Sequence, residues 1–136
     1  RAFIEEARAV RKMLGGGMRQ VGVLAAAGLI ALEKMPARLI EDHENARLLA
    51  RGLAELPGLV LDPEKVQTNI VIVDVAGTGW TAVEFAERLR ERGVLVGSLT
   101  ATTVRFVTHY EVSRDDCLMA LRLIRDVLRE APGARA

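Results

Sequence analysis

Arg105 stands alone among apolar residues in Val104-Arg105-Phe106-Val107. A guanidinium in such a setting must find an anion or reach an edge, because an unpaired buried charge is very costly. Strand alternation puts Val104 and Phe106 on one face and Thr103, Arg105 and Val107 on the other. The planar fork matches a carboxylate through parallel hydrogen bonds. Arg105 is therefore an anion clamp, an edge arginine in solvent, or half of a structural ion pair. A second concentration of charge surrounds Gly15-Gly16-Gly17, with Arg11 and Lys12 before the glycines and Arg19 after them. A glycine run permits positive φ and close approach of a ligand, and a helix starting after it offers free N–H groups to an anion. Lys12 and Arg19 could then converge on one anion. A flexible joint between helices, flanked by solvated cations, explains the same residues.

The other reactive side chains are few. His43 falls on the apolar stripe of a helix, as a hydrogen-bonded core or interface histidine does, and His109 follows the Arg105 strand beside Thr108 and Tyr110, where it either lines a site mouth or caps the strand. Thr68-Asn69 opens another strand, which an ordinary turn-to-strand transition explains. The 2 histidines and 1 cysteine have no zinc-ligand spacing, so no metal site is expected. Cys117 sits at an apolar helical position and reads as a small buried residue, with neither base nor exposure for a nucleophile. The lysines are Lys12, Lys34 and Lys65; the last two read as solvated.

Composition narrows the class. A net charge of +1 gives no electrostatic basis for binding nucleic acid or an anionic membrane. At 4% aromatic residues the chain lacks base-stacking platforms. Half of the 136 residues are hydrophobic, enough for one domain, or a small domain plus a piece of another. The apolar run 21–32 is too short to span a bilayer. A lone cysteine and the absence of a signal peptide fit a reducing cytoplasm. The chain opens on Arg1 directly in a helical pattern, as expected of a fragment or of a chain whose start was removed.

Helical spacing of Phe3, Ile4, Ala7, Val10, Arg11 and Leu14 predicts a helix over 2–14. A second helix over 18–34 is small-sided nearly all round and should be enclosed by neighbours, which favours partners outside this chain. Pro36 opens a third helix to about Leu56 with a buried stripe of Leu39, His43, Ala46, Leu49, Leu53 and Leu56. Short strands follow at 60–61 and 68–75, the second rich in β-branched residues and expected to be covered on both faces. Thr81 with Glu84 makes a capping box for a helix to about Arg92, closed by Gly93. Strands at 94–96 and 103–107 flank a turn, Ser113 with Asp116 caps the last helix, and the tail after Glu130 reads as frayed. From Pro36 the order is α-β-β-α-β-β-α, an α+β small domain with helices on one sheet face. The expected boundary lies near Met35-Pro36, giving 1–35 and 36–136.

Three stretches carry a family resemblance: Arg11-Lys12-Met13-Leu14-Gly15-Gly16-Gly17-Met18-Arg19-Gln20 with the Ala-rich helix after it, Glu41-Asp42-His43-Glu44-Asn45-Ala46, and Val104-Arg105-Phe106-Val107-Thr108-His109. In this order they resemble the low-specificity L-threonine aldolases, pyridoxal-phosphate lyases of the aspartate-aminotransferase fold type (fold type I). The resemblance runs from about Phe3 to the last helix. It implies an α/β enzyme whose C-terminal part is present here: the last helices of the PLP-binding large domain (1–35, incomplete) and the small domain (36–136). It implies that Arg105 binds the α-carboxylate of the amino-acid substrate, and that Arg19 and Lys12 serve pyridoxal 5'-phosphate, commonly across a subunit interface. The Schiff-base lysine, the acidic partner of the pyridinium nitrogen and the groups handling the substrate hydroxyl lie N-terminal to the glycine block in that family. No catalytic residue is therefore expected in this chain, and alone it should be inactive. The intact enzyme, a homo-oligomer (dimer or tetramer), would cleave L-threonine or L-allo-threonine to glycine and acetaldehyde. Another fold type I lyase or aminotransferase, and a non-enzymatic α+β binding or assembly module with the glycines as hinge, are the alternatives.

Overall fold

The computed structural model describes residues 1–135. They divide into two compact units, one from Arg1 to Ala37 and one from Arg38 onward.

The first unit holds α1 (Ala2–Met13) and α2 (Gly22–Glu33). The apolar spacing that predicts α1 produces it, and the glycines end it. Gly15 adopts φ +82°, its N–H reaches Lys12 O at 3.2 Å, and the Gly16 N–H reaches Arg11 O at 2.8 Å. Those two bonds make a Schellman cap, which requires a left-handed residue and so favours glycine. A Cβ on Gly16 would lie 2.8 Å from Arg11 Cγ and 2.9 Å from Arg11 O. The second helix starts four residues later than position 18, because 19–21 form a turn in which Gln20 has φ +53°. Neither helix buries a residue. Val23, Leu24, Leu29, Ile30 and Leu32 of α2 are exposed, so the enclosure expected of this helix is not provided within its own unit.

The second unit contains α3 (Leu39–Ala54), β1 (Ile70–Asp74), α4 (Ala82–Glu91), β2 (Gly97–Ser98), β3 (Thr103–Val107) and α5 (Arg114–Leu128). It is a mixed α/β domain with an antiparallel sheet in the order β1-β3-β2. Its core joins Val71 and Val73 of β1 and Val104 and Phe106 of β3 to Leu53, Phe85, Leu89, Ile124 and Val127 of the helices. Burying a side chain of this size contributes about 1.5–3 kcal/mol. Both predicted capping boxes form: the Glu84 N–H donates to Thr81 Oγ1 (3.2 Å) and the Thr81 N–H to Glu84 Oε2 (2.8 Å), and Ser113 and Asp116 make the same exchange.

Four expectations change. First, β1 is covered on one face only: Val71 and Val73 are buried while Ile70 and Ile72 are 42% and 53% exposed. Second, the strand expected at 94–96 lies at 97–98, because the Val94 N–H is held by Leu89 O (2.9 Å) in the α4 cap around Gly93, φ +84°. An N–H engaged there cannot serve a ladder, and Val60-Leu61 likewise contributes only a single bridge, Val60 to Asp74. Third, the inner face of α3 is rotated. Asp42 and Asn45 are buried, Leu39 is exposed and His43 half-buried, because specific hydrogen bonds satisfy the two polar side chains. Fourth, the tail packs: Ala131 is buried and a 3-10 turn covers Pro132–Arg135. Ala136 lies outside the described residues.

Candidate functional site

Arg105 lies at the middle of β3, the central strand, with its Cα opposite Ile72 of β1 and Gly97 of β2. It is thus no edge residue. Alternation sends Val104 and Phe106 into the core and Arg105 outward. Ile70, Ile72 and Val107 share that outer face and are exposed with it. The fork reaches over the β2 side, where a Cβ at Gly97 would meet Arg105 Nη2 at 3.9 Å, an ordinary contact. Among the described residues no carboxylate forms a salt bridge with Arg105. A guanidinium on a mostly apolar sheet face, with no ion partner in its own domain, can take an external carboxylate through two parallel hydrogen bonds.

Lys12 occupies the last turn of α1 and Arg19 the turn before α2; both are exposed, and neither forms a salt bridge among the described residues. Their charges suit a phosphate. The N–H groups of Gly15 and Gly16 are bound to carbonyls of α1, so the helix cap takes the donors a glycine cradle would need. The start of α2 follows Gln20 rather than the glycines, and it has no side-chain cap and no acidic residue in its first turn. An anion near Arg19 would therefore meet unneutralised N–H groups.

The histidines stay apart. His43 is on α3, and His109 is exposed beyond β3, its Nδ1 accepting the Glu111 N–H at 3.3 Å. No metal-ligating cluster occurs among the described residues, and no helix among them is long and apolar enough to cross a membrane. Cys117 is buried; loss of hydration, with the Asp116 charge nearby, pushes its thiol up to about 11.

One cluster escaped the sequence reading. The Arg38 guanidinium grips the Asp42 carboxylate with both arms (3.1 and 2.9 Å) and lies 4.8 Å from the centre of the Tyr110 ring. Thr108 Oγ1 donates to Asp42 O at 2.7 Å, and Asn69 Nδ2 donates to Thr108 O at 2.8 Å. The available signal was the i,i+4 spacing of Arg38 and Asp42 at a helix start.

Residues 1–76 match the family profile of the beta-eliminating lyases. The chain belongs to the beta-eliminating lyase family. Within it, the chain is 40% identical over 116 residues to Low-specificity L-threonine aldolase 1 of Arabidopsis thaliana, covering 85% of this chain and 32% of that protein. It is 43% identical over 115 residues to the Low specificity L-threonine aldolase of Escherichia coli (strain K12), again covering 85% and 32%. The chain thus spans about a third of the length of these curated relatives. A solved structure of MppP soaked with the product 2-ketoarginine matches with a TM-score of 0.58 over 73% of this chain and 30% of that one, at 18% identity. That likeness is one of fold. It agrees with the α/β small domain expected of this lyase family from sequence.

Proposed function

We propose that this beta-eliminating lyase chain is the C-terminal part of a pyridoxal-phosphate-dependent threonine aldolase, in which Arg105 holds the carboxylate of the amino-acid substrate. The observation that carries the proposal is Arg105 itself, outward on a central strand, beside apolar neighbours and without an ion partner among the described residues. The names of the relatives over the matched third of their length support a threonine aldolase, and the reaction proposed is cleavage of L-threonine or L-allo-threonine to glycine and acetaldehyde.

The bound cofactor supplies an electron sink for the charge left on Cα. This chain's residues bind and orient. The Arg105 fork fixes the plane of the carboxylate, and so the rotation of Cα that decides which of its bonds is aligned to break. Ile70, Ile72 and Val107 flank the fork with exposed apolar surface, which would strengthen the ion pair once that face is covered. Lys12 and Arg19 fit a phosphate by charge and by being unengaged, and we assign them to the cofactor. The Schiff-base lysine would come from the segment outside this chain, so the chain alone is expected to be inactive. The uncovered apolar residues of α1 and α2 are consistent with burial against that segment or a neighbouring subunit of a dimer or tetramer. A cytoplasmic enzyme is the setting we propose.

The test is Arg105→Ala in the full-length enzyme with L-threonine. Losing two charge-assisted hydrogen bonds, each about 1.5–3 kcal/mol, predicts a fall in kcat/KM of about a hundredfold or more. Cofactor absorbance should be retained. A kcat/KM within about threefold of wild type would refute the assignment.

A further inference from the structure

Arg105 is the last residue of β3 with a strand partner on both sides: Gly97 pairs with it, and β2 contributes nothing beyond. From Phe106 onward the strand is held by β1 alone. A clamp at such a point would swing whenever the end of its strand frayed. The chain places an unusual set of bonds there. Beyond the ladder, the Thr108 N–H donates to Asn69 O (3.0 Å) and Asn69 Nδ2 donates back to Thr108 O (2.8 Å), so the Asn69 side chain continues the sheet by one more exchange. Thr108 Oγ1 crosses to Asp42 O on α3 (2.7 Å). Arg38 fixes Asp42 from the other side and lies over Tyr110, while Asn45 Nδ2 donates to Val112 O at 3.1 Å.

Three of the four buried polar residues among those described, Asp42, Asn45 and Thr108, belong to this knot. Buried polar groups contribute less to stability than apolar ones of the same shape, yet when fully satisfied they specify one geometry. No buried side-chain polar atom here lacks a partner. We infer that Thr108, through Asp42 and Asn69, is a positioning residue that holds the end of β3 in place and so fixes the direction of the Arg105 fork. The inference rests on the role proposed for Arg105.

The experiment is a double-mutant cycle in the full-length holoenzyme with L-threonine. Thr108→Val keeps the shape and removes the hydroxyl. It is expected to raise KM about tenfold with kcat within about twofold, and Thr108→Ser should restore KM. In an Arg105→Ala background, Thr108→Val should change KM by less than about twofold, because there is no fork left to aim. An unchanged KM in Thr108→Val, or an equal rise in both backgrounds, overturns the positioning role while leaving Arg105 as the clamp. If Arg105→Ala alone leaves kcat/KM within about threefold of wild type, the reading of the site fails, and the positioning role with it. A loss of kcat without a KM change, not restored by serine, marks the knot as general scaffolding and also overturns the inference.

Discussion

Replacing Gly58 by alanine should destabilise the small domain well beyond what its backbone angle alone accounts for. Gly58 has φ +80°, a conformation that costs an L residue about 1–2 kcal/mol. A Cβ there would also lie 2.9 Å from Gly77 C and 3.0 Å from both Gly77 O and Thr78 N. These are backbone atoms, roughly half an ångström inside normal carbon contact, and no side chain can turn aside to relieve them. Overpacking of this kind costs about 1–3 kcal/mol, so Gly58→Ala should lose about 2–5 kcal/mol. Gly93 supplies the control: its φ is +84°, and nothing lies within 4 Å of its Cβ position, leaving about 1–2 kcal/mol. Urea unfolding followed through Trp80, which is buried beside Phe85, measures both. At a slope of about 1–3 kcal/mol/M, the Gly58→Ala midpoint should fall below that of Gly93→Ala by roughly 1 M. Equal midpoints would mean that the loop at Gly58 does not lie against Gly77, and the contact would be refuted.

Two further outcomes are expected. The Thr81 backbone and hydroxyl hold the Glu84 carboxyl below its ordinary range, and the Ser113 hydroxyl and backbone do the same for Asp116. Folded values below unfolded ones mean that these caps contribute stability above about pH 4 and lose it as the pH falls through the folded values. The urea midpoint of wild type should therefore drop more steeply between pH 5 and pH 3 than that of Glu84→Gln/Asp116→Asn; parallel curves would show the carboxylates to be idle. Cys117, buried and with its thiol raised to about 11, should react with iodoacetamide at pH 8 at least about a hundredfold more slowly in the folded chain than in urea, and comparable rates would contradict its burial.

What could be read from the sequence was whatever four or five neighbouring residues decide among themselves. The Thr81–Glu84 and Ser113–Asp116 boxes are of this kind, as is the alternation that turns Arg105 away from Val104 and Phe106. Competition for a single N–H was not legible: Val94 looks like a strand residue, but its donor closes α4 and the strand slides to Gly97. Nor could a run of β-branched residues tell how many faces of β1 the chain itself would cover. The polar knot was missed for a different reason. Reading a helix stripe as apolar puts Leu39 and His43 inside, whereas Asp42 and Asn45 are buried because Arg38 and the Val112 carbonyl await them. The glycine block was legible as a special backbone and as the end of α1, but not as a cap that takes up its own N–H donors, because the same residues permit either use.

The placement of α5 has a consequence for how the protein is made. Ile124, Val127 and Leu128 complete a core whose other walls come from α3, α4 and the sheet, and α3 packs against α5 across much of the chain. On a ribosome, where chains emerge from the N-terminus, Phe85 and Val104 are translated before the helix that covers them. The core of the domain that carries Arg105 therefore closes only once α5 has left the exit tunnel, and a nascent chain stalled before Ile124 should still be open to proteases and chaperones at its strands.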